Sequence, residues 1–440
     1  MKTKFKIVAA IICIAICVLS LTACNNAGKS TLLGAPNDFE EVGFSELSNE
    51  NYKTFRNSVE AFAADFAAYS YADYKKQDNF AVSPISVYMA LSLAAQCASG
   101  DTRAEILNAL GVTYEQLKTH FSTLYRSLEV EHKYGDTLTG FLRLTNSIWV
   151  NNSTQVKQPC IDALSNDFYS YSYSADFEHD SKQANKAVRD FVKKQTNGLI
   201  DKDFDLSPDT LFTLINTLYL KTIWNTHGDE LPFAKGSYTF TAKDGSEKDV
   251  QLLQGKYNSG RAIEFDTFST FFTETYNGYK IKFILPKDGY NIDQVFCAEN
   301  IAAVNAITYY NAYDKDVQYS TRVLFPEYKC KYDENIADIL KDKFDIDLLF
   351  KDHIRYSPAC DFSTLTDESC YCDKIQHVTD LTVDRKGIEG AAVTVISISD
   401  SAPVPPLETV YNDFIVNKSF GFIITDRYDI TLFSGVVNNI

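Results

Sequence analysis

Along the first third of the chain, apolar residues recur at helical intervals. Phe55, Val59, Phe62 and Phe66 step by four, three and four, one stripe that predicts a core-facing helix. Ser83-Pro84 reads as an N-cap with proline at the first helical position, and the helix it opens carries Val87, Leu91 and Ala94. Thr102 and Glu105 have capping-box spacing ahead of Gly111, a helix stop, and Leu117, Phe121, Leu124 and Leu128 mark a further amphipathic helix. Strand patterns then take over. Residues 138–150 end in Asn146-Ser147-Ile148-Trp149-Val150, and residues 211–220 (LFTLINTLYL) are nearly continuous hydrocarbon, which predicts a strand covered on both faces. Between them Ala184, Val188, Phe191 and Val192 define a helix packed on the sheet. Strict alternation returns at Tyr279, Ile281, Phe283 and Leu285, at Val317, Tyr319, Thr321, Val323 and Phe325, and at Ile375, His377, Thr379, Leu381 and Val383. The C-terminus reads as a hairpin turning at Asp426-Arg427-Tyr428-Asp429. Helices first and antiparallel-type strands later, without βαβ alternation, predict an α+β fold, and no break in composition divides residues 50–440.

The start of the chain has another character. Lys2, Lys4 and Lys6 precede an apolar run, IVAAIICIAICVL, and then Leu21-Thr22-Ala23-Cys24, which together make an export signal. That ending resembles the lipobox of bacterial lipoproteins. The resemblance implies that residues 1–23 are a signal peptide, that Cys24 takes the lipid, and that the protein sits at the outer face of a bacterial cell membrane by that anchor alone. An uncleaved signal anchor is the alternative. Residues 24–49 show no helical or strand period and read as a tether.

The 440 residues carry 42 Lys+Arg against 58 Asp+Glu, a net charge of −16 that becomes −19 without the leader lysines, so electrostatic binding to nucleic acid is not expected. Of ten cysteines, Cys97, Cys160, Cys297, Cys330, Cys360, Cys370 and Cys372 remain once Cys13, Cys17 and Cys24 are assigned to the leader, an odd number at irregular spacing. Cys370-Tyr371-Cys372 with Asp373 and His377 offers soft ligands, yet no second pair stands at zinc-ribbon distance, so no metal or other cofactor is expected. A disulfide involving Cys360, Cys370 or Cys372 stays open. No Gly-x-Ser-x-Gly elbow, His-Glu-x-x-His helix or phosphate-binding glycine loop occurs, and the chain does not read as an enzyme.

Residues 387–402, GIEGAAVTVISISDSA, are unusual for a structural strand. Ile388, Gly390, Ala392, Thr394, Ile396 and Ile398 alternate with Glu389, Ala391, Val393, Val395, Ser397 and Ser399, small at the front and β-branched behind. Such a strand can slide into a narrow gap. Pro403, Pro405 and Pro406 stop it from continuing as a ladder.

Ordered landmarks across residues 50–440 resemble those of the serpins. Asn79-Phe80-Ala81-Val82-Ser83-Pro84-Ile85-Ser86 looks like that family's helix start, and Leu214-Ile215-Asn216-Thr217-Leu218-Tyr219-Leu220-Lys221 with Trp224 is similar to its central strand. Thr196-Asn197-Gly198-Leu199-Ile200, Ile284-Leu285-Pro286-Lys287, Phe325-Pro326-Glu327-Tyr328 and Leu432-Phe433-Ser434-Gly435 follow in family order, and His377 stands ten residues before Gly387 as the family's shutter histidine precedes its hinge glycine. The resemblance implies three sheets, eight or nine helices and an exposed reactive loop that baits a serine protease. The cleaved loop then inserts as a new central strand. It also implies a hinge at Gly387, Ile388, Glu389, Gly390, Ala391, Ala392 and Thr394, shutter roles for Ser83, Ser86, Asn216 and His377, and a breach position for Trp224. Three features depart from the family pattern: Arg385 replaces a breach glutamate, Gly390 replaces an alanine, and Ser419-Phe420-Gly421 replaces Pro-Phe-apolar.

Family spacing from Gly387 puts the scissile bond at Ser401-Ala402. Counting back from Pro405-Pro406 gives Ala402-Pro403, which the tertiary amide disfavours. A small residue donating the carbonyl implies elastase-like or subtilisin-like partners, and residues 387–401 contain no Lys or Arg for a trypsin-like one. The chain is expected to act as a monomer. The competing readings are a non-inhibitory serpin acting as a cell-surface binding module and a lipoprotein that captures a solute.

Overall fold

Asn49 caps the first long helix with its side chain, which accepts from the backbone of Asn51 and Tyr52, and the stripe Phe55, Val59, Phe62, Phe66 is buried along it. The computed structural model describes residues 30–440 apart from 75–77, 135–136, 225–229, 315–316, 373–374 and 389–407. Its helices are α1 (Phe44–Leu47), α2 (Glu50–Asp73), α3 (Pro84–Cys97), α4 (Gly100–Leu110), α5 (Tyr114–Leu128), α6 (Gln158–Asn166), α7 (Ser181–Gln195), α8 (Ile292–Val295), α9 (Ala298–Asn305) and α10 (Ala337–Phe344). The single-turn helices α1 and α8 account for the excess over the eight or nine expected.

The first half of the chain contributes strands β1 (Ser30–Gly34), β2 (Phe80–Val82), β3 (Val130–Tyr134), β4 (Thr137–Asn151), β5 (Ser170–Ala175) and β6 (Phe212–Ile223). The second half supplies β7 (Tyr238–Thr241), β8 (Glu247–Val250), β9 (Leu253–Ser259), β10 (Ile263–Glu264), β11 (Phe268–Glu274), β12 (Lys280–Pro286) and β13 (Tyr313–Asp314). After them come β14 (Val317–Phe325), β15 (Tyr328–Asn335), β16 (Gln376–Asp384), β17 (Gly387–Ile388), β18 (Glu408–Ile415), β19 (Phe420–Thr425) and β20 (Thr431–Val437).

An eight-stranded sheet runs β1-β5-β4-β6-β17-β16-β15, with β3 on β4. A second runs β10-β11-β12-β19-β20-β2, a third groups β9, β13, β14 and β18, and β7-β8 is a small ribbon. Helix α3, buried along nearly all of its length, lies beneath the large sheet and supports the parting described below.

Local structure departs from sequence expectation where tertiary contacts recruit a side chain. Ser83 holds the N-cap position of α3, but its hydroxyl donates to the Leu432 carbonyl at 2.8 Å instead of capping. Thr102 and Glu105 form no capping box: Thr102 accepts from the Asp361 amide and Glu105 from those of Asp347 and Leu348, so both staple α4 to the 345–361 segment. Thr113 and Gln116 make a reciprocal box at the head of α5.

Residues 24–29 of the expected tether lie outside the described residues, and several of those that follow pack on the domain. Residues 30–34 pair as an edge strand with β5, Asn37 donates to Asn166, Phe39 packs edge-on against Tyr125 and Tyr169, and Glu46 pairs with Arg126. A five-residue edge strand, exposed on most positions, carries no alternation of its own, and its partner makes it a strand.

Candidate functional site

In the large sheet β6 and β16 are joined only through β17. Ile388 pairs with Thr222 of β6 and Val383 of β16, and Gly387 with Ile223 and Asp384. A Cβ on Gly387 would sit 2.0 Å from the Thr222 carbonyl oxygen, so glycine alone lets the chain enter here. Ile388 is fully buried, so the first hydrophobe of the hinge is already in the core.

Below Ile388 the strands part. No ladder joins β6 to β16 among the described residues, and a cavity of about 590 Å³ opens between them. Thr213 to Leu218 form one bank, Ile375 to Asp380 the other, Ser83, Ser86 and Val87 of α3 the floor, and Leu199, Phe204 and Leu206 a roof. Leu214, Ile215 and Leu218 are half-buried. This corrects the expectation that residues 211–220 are covered on both faces, because hydrocarbon at 213–218 lines the gap instead of a neighbouring strand.

Polar groups gather midway down. The Ser83 amide donates to His377 Nε2 at 3.0 Å, and the Ser83 hydroxyl lies 3.1 Å from that of Ser86. Burial pushes the His377 imidazole down to about 4, leaving it neutral at ordinary pH with Nε2 able to accept. Phe66 and Tyr332 flank its ring at 5.9 and 5.8 Å. On the opposite bank Asn216 Nδ2 donates to Asn146 Oδ1 at 2.8 Å, and Asn146 donates on to the Phe168 carbonyl at 3.0 Å. Asn216 Oδ1 is buried with no partner. Asn146 is a member of this cluster that sequence reading did not single out. Its signal was a polar amide inside an apolar strand, which must find a partner when buried.

The loop end of the gap is riveted. Trp224 Nε1 donates to the Asp384 carbonyl at 2.7 Å, with the indole against Phe325 at 5.5 Å. The Arg385 amide donates to Glu327 at 3.0 Å and its Nε to the Leu231 carbonyl at 3.1 Å, while the guanidinium lies 4.7 Å from the Phe233 ring centre and 3.3 Å from Glu230. Carboxylates therefore reach the breach from Glu327 and Glu230, although position 385 is arginine.

Ser83, Ser86, Asn216 and His377 thus line one cavity, and Gly387, Ile388 and Trp224 meet at its head. Glu389, Gly390, Ala391, Ala392, Thr394, Ser401, Ala402 and Cys24 lie outside the described residues. The seven cysteines beyond the leader are free, and the described residues hold no cluster of three or more His, Cys, Asp or Glu able to bind a metal.

Comparison with known proteins agrees with this geometry. The family model described as "Serpin (serine protease inhibitor)" matches residues 57–440. Alpha-1-antitrypsin of Meriones unguiculatus is 25% identical over 386 residues, covering 86% of this chain and 89% of that protein, and neuroserpin of Homo sapiens is 24% identical over 408 residues, covering 87% and 92%. Among solved structures, the thermophilic serpin tengpin in its native state superposes with a TM-score of 0.70 at 21% identity, covering 93% of this chain and all of that one.

Proposed function

Because the chain belongs to the serpin family, we propose that it is a suicide-type inhibitor of serine proteases with small-residue specificity, exported and held to the cell surface by lipid on Cys24. Members of this family are generally protease inhibitors rather than enzymes. In the proposed reaction the protease serine attacks the Ser401 carbonyl, the Ser401-Ala402 bond breaks, the amine of Ala402 leaves with a proton, and Ser401 becomes an ester on the enzyme. Insertion of residues 389–401 between β6 and β16 then outruns hydrolysis of that ester.

One observation carries this reading: β17 has the register of a strand already begun. Ile388 faces Thr222 and Val383 in antiparallel pairing. Continued residue by residue, the same register brings Thr394 level with Asn216 on one side and His377 on the other. Paired residues share a face, so Thr394 faces the same polar cluster. Its hydroxyl is a donor for Asn216 Oδ1, a buried acceptor there that lacks a partner among the described residues. Ile396 and Ile398 follow on that face, level with the half-buried Leu214 and Phe212 of β6.

The test is to mix the mature domain with pancreatic elastase or subtilisin and run a denaturing gel. A covalent band at the summed masses is expected, absent with trypsin and gained with trypsin in Ser401→Arg. A cleaved product without that band would favour the non-inhibitory reading.

A further inference from the structure

The N-terminal edge strand fixes where an anchor would hold the domain. In β1, Ser30 pairs with Ala175, which pairs with Asn151, whose amide donates to the Leu211 carbonyl. Ser30 therefore stands at the base of the large sheet, where β4 ends and β6 begins. Gly387 enters at the other end of β6, beside Ile223. From Ser30 to Gly34 the chain climbs away from the base. The described chain therefore begins at the base. Six Cα steps separate Cys24 from Ser30, a reach of at most about 22 Å.

We infer that the lipid-anchored protein stands with this base pole toward the bilayer and its loop pole outermost. The inference rests on the reading of Cys24 as the lipidated residue. The base pole is not itself adhesive to an anionic surface: Asp176, Glu178, Asp209 and Glu368 lie there with at least part of each side chain exposed, and Lys157 is paired with Asp367 at 2.5 Å. Repulsion extends over a screening length of about 8 Å, so the short linker sets the stand-off. The competing pose lies on the β1 flank, where Leu32, Leu33 and Phe44 are exposed.

The upright pose has a consequence for trapping. Continued in register, the β17 pairing delivers Ser401 level with Asp209, at the same pole as the anchor. A captured protease of roughly 250 residues has a radius of gyration of about 18 Å, so it and the bilayer compete for one space, and the domain must tip, or β1 must peel from β5, for trapping to finish.

The two tryptophans report the pose. Trp149 pairs with Thr213 near the base, and Trp224 follows the far end of β6. Eleven strand residues, about 36 Å, separate the two levels. The full chain is expressed with its leader, purified with its lipid, and reconstituted in phosphatidylglycerol-containing vesicles carrying a dansyl headgroup lipid. Energy transfer from tryptophan to dansyl is expected to persist in Trp224→Phe and to be lost in Trp149→Phe. In the chain with both tryptophans, lengthening the 25–29 linker by about ten Gly/Ser residues should weaken the transfer, which guards against misfolding of either variant. Equal transfer from both tryptophans, or transfer from Trp224 alone, overturns the upright pose while leaving the anchor intact. A full chain that does not bind vesicles, or a Cys24→Ser chain that binds them equally, overturns the anchor reading and the pose with it.

Discussion

At its loop end, the gap between β6 and β16 is closed by two residues of a new strand, a tryptophan bond and a stacked arginine. At its base end, the same two strands part around a cavity of about 590 Å³. The contrast separates two tasks. The head of the gap fixes register and direction, because only glycine passes Thr222 and Ile388 is locked in the core. In the proposed function the lower gap supplies the reason to proceed: among the described residues it holds half-buried hydrocarbon on β6, strand edges without a ladder, and an amide oxygen without a partner. Burying such surface and pairing such groups is favourable, and leaving them unmet in a folded protein costs free energy. On the proposed reading, the native fold is organised around an occupant it does not yet hold.

The strongest way to break this contrast is Gly387→Val. Its Cβ meets a backbone oxygen that cannot swing aside, so β17 should not form and the yield of covalent complex should fall about a hundredfold, roughly 2.7 kcal/mol, leaving cleaved product on the gel. Replacement of His377 by asparagine should sharpen it. The folded imidazole titrates near 4 against 6.5 when exposed, so the unfolded chain binds more protons in that window and this group's contribution is lost as pH falls. The stability advantage of the wild type over His377→Asn should shrink by about 2 kcal/mol between pH 7 and pH 5, followed by chemical denaturation. The difference between variants is the observable, because burial raises Asp426 to about 7 and that carboxyl stabilises the fold in the opposite direction over the same range.

Trp224→Phe removes one hydrogen bond at the head, worth about 1 kcal/mol. Intact protein should melt roughly 1 °C lower, while the form with an inserted loop should change less, as ladder pairing then holds the same strands. Arg385→Ala should have the smallest effect. Its ion pair with Glu230 is more than a third exposed on both sides, so less than about 1 kcal/mol is expected, with insertion slightly faster as β16 is released from the Leu231 segment.

Much of this architecture could be read from the chain. The stripes at Phe55 to Phe66 and Leu117 to Leu128, the stop at Gly111 and the alternation through His377 follow from periodicities that a buried face imposes. What could not be read depended on a neighbour. The hydrocarbon of residues 211–220 looked like a doubly covered strand, since apolar character does not distinguish a packed face from one that lines a gap. Ser83 looked like a cap until Leu432 and Ser86 claimed its hydroxyl. Strand β1 had no pattern because β5 supplies its pairing. Asn146 was visible only as an oddity in an apolar run, with Asn216 giving it meaning. Of the hinge, Gly387 answers a steric demand that the Thr222 carbonyl makes plain, while Glu389 to Thr394 lie outside the described residues.

The central claim, that the parted strands receive the cleaved loop, is tested most directly by hydrogen–deuterium exchange of residues 212–218 and 376–380 before and after a single nick at Ser401-Ala402. These amides should exchange much more slowly in the nicked protein, as both strand edges gain a partner. Unchanged exchange in both segments, with the nick complete, would contradict the account.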